Sequence, residues 1–499
     1  MKTWLYGAAC LAFVAVASTS RTTAQQPGVA APQSISARDK AEGAKAHPQL
    51  LEEFGGLYEG PQRAYVTRIG RAVAAQSGLA AAPNEFTISL LNSPVNNAFA
   101  IPGGYVYVTR QLMALMNNEA ELASVLGHEV GHIAARHSQK RSERASRAGL
   151  GAILATVLGG VLLGDNGVRL GQQLGGALAQ RYVLSYSRAQ EYEADDLGIR
   201  YLARSGYEPM AASTMLASLA SQTALDARRD GRNDTALPEW ASTHPDPASR
   251  VVRARQKASQ LTTQGHQTNR DAFLQMLDGI LYDDDPQQGV VDGRNFQHPS
   301  LRLAFTAPSG FVMSNGPKAV SINGAGGQAQ FSAGPYQGDL ETYVGRVFQA
   351  VGGQTRLAYS APRRTVVNGL PTAYAIARAT TSSGPVDVTV FAYEFGPTQA
   401  YHLIAITRVG VAPFDSLFQS VRRLSAEEAA NIRPRRIAIT TVKAGDTVAS
   451  LAAKMAYADY QAERFRVLNG LAETEALRPG QKVKLVTFAA PSRKKRRAA

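Results

Sequence analysis

The chain has 499 residues, 44% of them hydrophobic and 18% charged, which suits about two to four folded domains and excludes a disordered protein. Its formal net charge is +14, but five positive charges stand in the single run from Arg493 to Arg497, so the body is only mildly basic. No stripe of basic residues interleaved with aromatics is present, which argues against a nucleic-acid partner.

Residues 1–24 read as a secretory signal: Lys2 gives the positive start, Leu5 to Ala17 the apolar stretch, and small residues follow. Cleavage fits after Ala17 or after Ala24, the latter preferred. The one cysteine, Cys10, lies inside this segment, and Gly7 three positions before it argues against lipid attachment. A mature chain without cysteine excludes a disulfide scaffold and thiolate zinc sites. Residues 25–46 are rich in Ala, Gln, Pro and Ser and are expected as a flexible lead-in. From 47 to 285 helical periodicity dominates, interrupted by strand-like stretches at Glu85–Leu91 and, after the Pro102-Gly103-Gly104 turn, Tyr105–Val108.

The pattern predicts a helix over 119–137, with Leu122, Val125, Leu126 and Ile133 on one face. His128 and His132 are four residues apart, so both imidazoles project from the same side and can reach one Zn²⁺ at about 2.0–2.1 Å. Glu129, one step round the helix, is placed to reach a zinc-bound water. Gly131 costs roughly 0.5–1 kcal/mol against Ala in a helix interior, a cost that makes sense if other backbone packs closely there. A third ligand is required. His137 falls one residue short of the metzincin spacing and, on a continuing helix, would point about 140° away from His132, so it is read as a surface or hydrogen-bonding histidine. Glu191 is preferred, in Ser187-Arg188-Ala189-Gln190-Glu191-Tyr192-Glu193-Ala194-Asp195. Glu191 and Asp195 share a helical face, which lets Glu191 ligate the metal while Asp195 accepts from the far nitrogen of a metal-bound histidine.

Between these motifs, residues 148–164 form an uncharged Gly/Ala/Leu/Val stretch at the lower limit for spanning a bilayer. A helical hairpin over the active site is expected there, with peripheral membrane contact as the alternative. In Ser242-Thr243-His244-Pro245-Asp246-Pro247-Ala248-Ser249-Arg250, His244 is assigned to the site. It approaches the zinc as an extra ligand in a closed state or stabilises the oxyanion in an open one; the plainer reading makes it a residue near a helix cap. The sequence assigns no definite role to Arg250.

Asp283-Asp284-Asp285-Pro286 is read as a polar break between domains. From 293 to 425, short alternating runs such as Leu301–Phe305 and Val386–Val390, separated by Gly, Pro and Asn turns, predict an antiparallel α+β sheet domain with a helix at Leu340–Val351. It loosely resembles the Mog1/PsbP-like sandwich and carries no chemical motif. Residues 438–487 resemble a LysM domain, a βααβ module: Gly445-Asp446-Thr447, Asn469-Gly470 and Pro479-Gly480-Gln481 occur in family order. The resemblance implies binding of N-acetylglucosamine polymers such as peptidoglycan. Residues 488–499 are a basic tail.

The zinc motifs resemble the gluzincin family of HtpX and the CAAX prenyl proteases (peptidase family M48), closest to its soluble periplasmic, BepA-like branch. The resemblance covers roughly residues 47–260, and Asn97 to Gly104 and Ser187 to Asp195 match the family's stretches. It implies a mainly α zincin-type domain with a small sheet over 47–285, and one Zn²⁺ per chain held by His128, His132 and Glu191. It further implies an edge strand at Asn97, Ala98, Phe99 and Ala100 that holds extended substrate by β-augmentation. The expected activity is hydrolysis of unfolded or misassembled outer-membrane proteins in the periplasm, with Glu129 as base and the LysM-like module as a peptidoglycan tether. The rival reading is an envelope chaperone or adaptor with a mostly latent protease site.

Overall fold

The computed structural model describes residues 34–79, 83–140, 186–229, 244, 247–261, 265–353, 356–381 and 384–490. The signal segment 1–24, the stretch 148–164 and the Arg493–Arg497 run lie outside the described residues. Among the described residues no helix is long and apolar enough to cross a membrane.

Helix α1 runs Ala37–Glu53, so the latter half of the expected flexible lead-in is helical. Two physical reasons account for this. Ser36 caps the helix by accepting from the Asp39 amide, and the run that follows is rich in Ala, Lys and Glu, which are strong helix formers. Gly43 lets α1 lie on the Pro102-Gly103-Gly104 turn, since a Cβ there would stand 2.2 Å from the Pro102 carbonyl oxygen.

A small mixed sheet underlies the site. Strands β1 (Thr87–Leu91), β2 (Ala98–Ile101) and β3 (Tyr105–Thr109) lie in the order β1-β3-β2, with β1 parallel and β2 antiparallel to β3. Helix α2 (Pro61–Ala74) packs on β1, where Gly70 accommodates the Ile88 side chain. The short helix α3 (Arg110–Leu115) leads into α4 (Glu119–Ala134), capped by Asn118. α4 ends earlier than its periodicity predicts, because Arg136 takes a left-handed φ of 54° and turns the chain back. α5 (Arg188–Arg204) starts from a capping box formed by Ser187 and Gln190. α6 (Ala211–Arg229), α7 (Pro247–Ala258) and α8 (Arg270–Leu277) complete the helical layer.

Residues 283–285, read from sequence as a plain break, form a polar knot where three units meet. Asp283 accepts from Tyr457 Oη at 2.6 Å, Asp284 from the Val291 amide at 2.8 Å, and Asp285 from Asn92 Nδ2 at 2.7 Å. The sheet domain that follows is antiparallel. Its seven strands lie in the spatial order 363–367, 370–381, 384–396, 399–408, 327–333, 319–324 and 311–315. Its faces alternate with a period of two: Ala373, Ala375 and Val390 pack under the helix Leu340–Gly352, while Tyr374, Phe391 and Tyr393 face a small four-stranded sheet.

The C-terminal module is βααβ: β5 (Arg435–Thr441), α9 (Val448–Ala452), α10 (Gln461–Leu468) and β6 (Lys482–Phe488). β5 also pairs with β4 (Leu281–Tyr282), Tyr282 opposite Arg435. The sheet domain therefore leaves and re-enters the rest of the chain at neighbouring residues of one small sheet.

Candidate metal centre

Three glycines allow α4 and α5 to touch backbone to backbone. A Cβ on Gly131 would lie 2.9 Å from the Ala194 carbonyl oxygen, one on Gly127 3.2 Å from that of Gly198, and one on Gly198 2.8 Å from the His128 amide nitrogen. At that spacing, the carboxylates that α5 presents every four residues reach the imidazoles that α4 presents at the same interval.

His128, His132, Glu191 and His244 converge, each offering a ligand atom within 4.8 Å of the others. The Nε2 atoms of His128 and His132 are 3.0 Å apart, and each lies 3.5 Å from a Glu191 carboxylate oxygen. Hydrogen bonds on the outer side decide what those inner nitrogens are. His128 Nδ1 faces Asp195 Oδ1 at 2.9 Å, so this nitrogen carries the proton. His132 Nδ1 lies 2.8 Å from His137 Nδ1, and His137 Nε2 lies 3.1 Å from Glu193 Oε2. Glu193 only accepts, so His137 donates to it, accepts on Nδ1, and leaves the proton of His132 on its Nδ1. His132 Nε2 thus presents a lone pair; burial would lower His128, but Asp195 and Glu191 raise it to about 9, so its Nε2 proton is the one that a bound metal would displace. A donor set of two imidazole lone pairs and a carboxylate fits a zinc ion.

The charges behind this set are balanced. Arg250, buried, donates from Nε and Nη2 to the two Asp195 oxygens at 2.8 and 2.7 Å, and its Nη1 lies 2.7 Å from Glu191 Oε2. Burial alone would raise the Glu191 carboxyl, but His244 and Arg250 hold it well below the usual carboxylate range. Asp195 is likewise raised by burial, yet Arg250 and His128 bring it down to about 2. Glu129 differs: burial outweighs the neighbouring histidines and pushes its carboxyl up, and its Oε2 has no hydrogen-bond partner among the described residues. His244 stands over the set, Nδ1 3.1 Å from Glu191 Oε2 and Nε2 3.7 Å from Glu129 Oε1.

The sheet borders the same centre. β2 is the edge strand, and β3 is its partner among the described strands. Asn97, Ala98, Phe99 and Ala100 are buried, with Phe99 stacked on Tyr107 at 4.6 Å. Ala100 and Ile101 line one small cavity together with His132.

Residues 61–258 match the description Peptidase family M48, and residues 440–486 match the LysM domain. The chain carries an M48 peptidase domain. The "Beta-barrel assembly-enhancing protease" of Yersinia pestis is 34% identical over 41% of this chain and 40% of its own length. The Escherichia coli (strain K12) protein of the same name is 33% identical over 42% of each chain. The "Mitochondrial metalloendopeptidase OMA1" of Schizosaccharomyces pombe is 30% identical over 41% of this chain and 57% of its own. The matched part thus spans about two fifths of the length of the bacterial relatives.

Four residues of the M48 site escape a reading from spacing alone. His137 is fully buried against His132, because the left-handed turn at Arg136 folds it back; the 140° projection presumed a continuous helix. Glu193 completes that relay from the exposed side of α5. Tyr186 stacks on the His132 ring, centroids 3.9 Å apart, with its hydroxyl 3.2 Å from Ser138 Oγ. Arg250 has only a place in a motif until α7 brings it against α5.

Proposed function

We propose that the chain is a zinc endopeptidase of the cell envelope that hydrolyses extended segments of unfolded or misassembled polypeptides. The observation that carries this reading is the outer hydrogen-bond network, which turns the Nε2 atoms of His128 and His132 towards each other and towards Glu191. These three residues would hold the ion, one per chain, with Asp195 orienting His128. When bound, zinc supplies Lewis acidity towards a peptide carbonyl and acidifies water to near neutral pH. Glu129, buried and with a carboxylate oxygen that has no partner among the described residues, takes the proton of the attacking water and hands it to the leaving amine. Asn97 and the β2 edge from Ala98 to Ala100 would hold the substrate as an added antiparallel strand, which requires an extended and therefore unfolded client.

The printed names of the bacterial relatives support clients among outer-membrane β-barrel proteins, and hence a periplasmic setting. The LysM domain supports a peptidoglycan partner. The second reading, a client-binding chaperone with a latent site, is favoured by one contact: His244 lies against Glu191 and near Glu129, over the donor set.

The test is cleavage of unfolded casein by the purified chain with and without a chelator, beside Glu129→Gln and His244→Ala. Chelator-sensitive cleavage lost in Glu129→Gln supports the peptidase. Equal cleavage by Glu129→Gln refutes the assigned base, and cleavage that emerges only in His244→Ala favours the latent form.

A further inference from the structure

The C-terminal module, expected as a tether, is packed into the M48 unit. Val442, Leu451, Phe465, Val483 and Leu485 share one buried cluster with Leu112, Leu115 and Met116 on the peptidase side. β5 pairs with β4 in a sheet separate from β1-β3-β2, and Arg270, the first residue of α8, donates to the Lys482 carbonyl at 2.7 Å.

The decisive group is Lys484. Its side chain is fully buried, and Nζ donates to the carbonyls of Ala114 at 2.9 Å, Leu115 at 3.0 Å and Met116 at 2.6 Å. These carbonyls close α3, where a helix leaves its last acceptors unpaired and carries partial negative charge. An ammonium offers three donors, one for each. Burying an ammonium is costly without such partners, so this arrangement is specific rather than incidental packing.

The turn so gripped is the one from which the metal-bearing helix α4 starts. Glu121 of α4, also buried, accepts from the Asn117 amide at 2.7 Å and from Thr214 Oγ1 at 2.7 Å. From the other side Gly470 of the module lies against the Asn117 side chain, leaving 3.0 Å for a Cβ. The turn 114–118 is therefore held between α4 itself and the module, about two and a half helical turns before His128.

We propose that the LysM module is a wall of the peptidase, with Lys484 a positioning residue that fixes the start of α4 and so the presentation of His128 and His132. The proposal rests on the zinc reading above only for its metal readout.

The experiment compares the full chain with Lys484→Met and Lys484→Arg. Zinc affinity is measured by competition with a chromogenic chelator, casein cleavage is split into kcat and KM, and far-UV circular dichroism monitors the fold. Lys484→Met is expected to stay folded, to bind zinc about tenfold more weakly and to lose kcat with KM little changed, while Lys484→Arg recovers part of the affinity. A lowered melting temperature with zinc affinity and kcat unchanged would overturn the proposal, since the lysine would then serve packing alone. If Lys484→Met does not fold, hydrogen exchange on the unaltered protein decides. Zinc loading should slow exchange at 114–121 and 482–486 together, and protection confined to α4 and α5 would overturn the proposal. Failure of the zinc reading looks different: the unaltered chain would itself bind no zinc, and faster exchange at 114–121 in Lys484→Met would still be required.

Discussion

The M48 unit and the sheet domain inserted after it both bury polar side chains, but they do so differently. In the sheet domain the buried side chains of His402 and Thr372 are satisfied locally. His402 lies 3.0 Å from Ser332 Oγ and 2.8 Å from Tyr343 Oη, burial pushes its pKa down to about 4, and Thr372 donates to the Leu370 carbonyl. In the M48 unit, His128, His132, Glu191 and His244 turn their reactive atoms towards one point, and Asp195, Arg250, His137 and Glu193 engage them from behind. Isolated, satisfied polar groups belong to a core. Convergent ones with a supporting outer shell mark a place built for an ion and its chemistry.

Four changes test that contrast. Glu129→Gln should lower kcat for casein about a thousandfold while zinc stoichiometry, read by atomic absorption, stays at one; a milder loss would move the base elsewhere. Arg250→Leu strands the buried carboxylates of Asp195 and Glu191, and urea unfolding of the metal-free chain should show a loss of about 3–5 kcal/mol. Replacing His137 with Leu removes the acceptor that orients His132. Zinc affinity in chelator competition should then fall about ten- to a hundredfold, with Gln in that place recovering part of it. The smallest effect is expected from exchanging residues 287–431 for a short Gly/Ser linker. Because Tyr282 and Arg435 are paired neighbours, casein cleavage should stay within about twofold, and a large loss would show that the sheet domain takes part in the chemistry.

Much of the site was legible because its information is local. The i, i+4 spacing of His128 with His132, and of Glu191 with Asp195, needs only helix geometry, and the period-two runs between 293 and 425 need only strand geometry. What escaped depends on the chain's path. His137 required one left-handed residue, Arg136, that no periodicity announces. Arg250 required the packing of α7 against α5. The helix at 37–46 was hidden behind a Pro/Gln-rich approach, although Ser36 and Asp39 already formed its cap. The module at 435–488 was readable as a fold, but its attachment was not: Lys484 looks like an ordinary surface lysine until α3 supplies its three carbonyls.

That lysine also sets a timetable. It closes contacts across 368 to 370 residues of chain, and a core that depends on so distant a partner cannot be completed during early synthesis. The metal helix would gain its final anchorage among the last events of folding, once the full chain has emerged. Under the proposed role of Lys484, the metal site is not finished before residue 484 has been made.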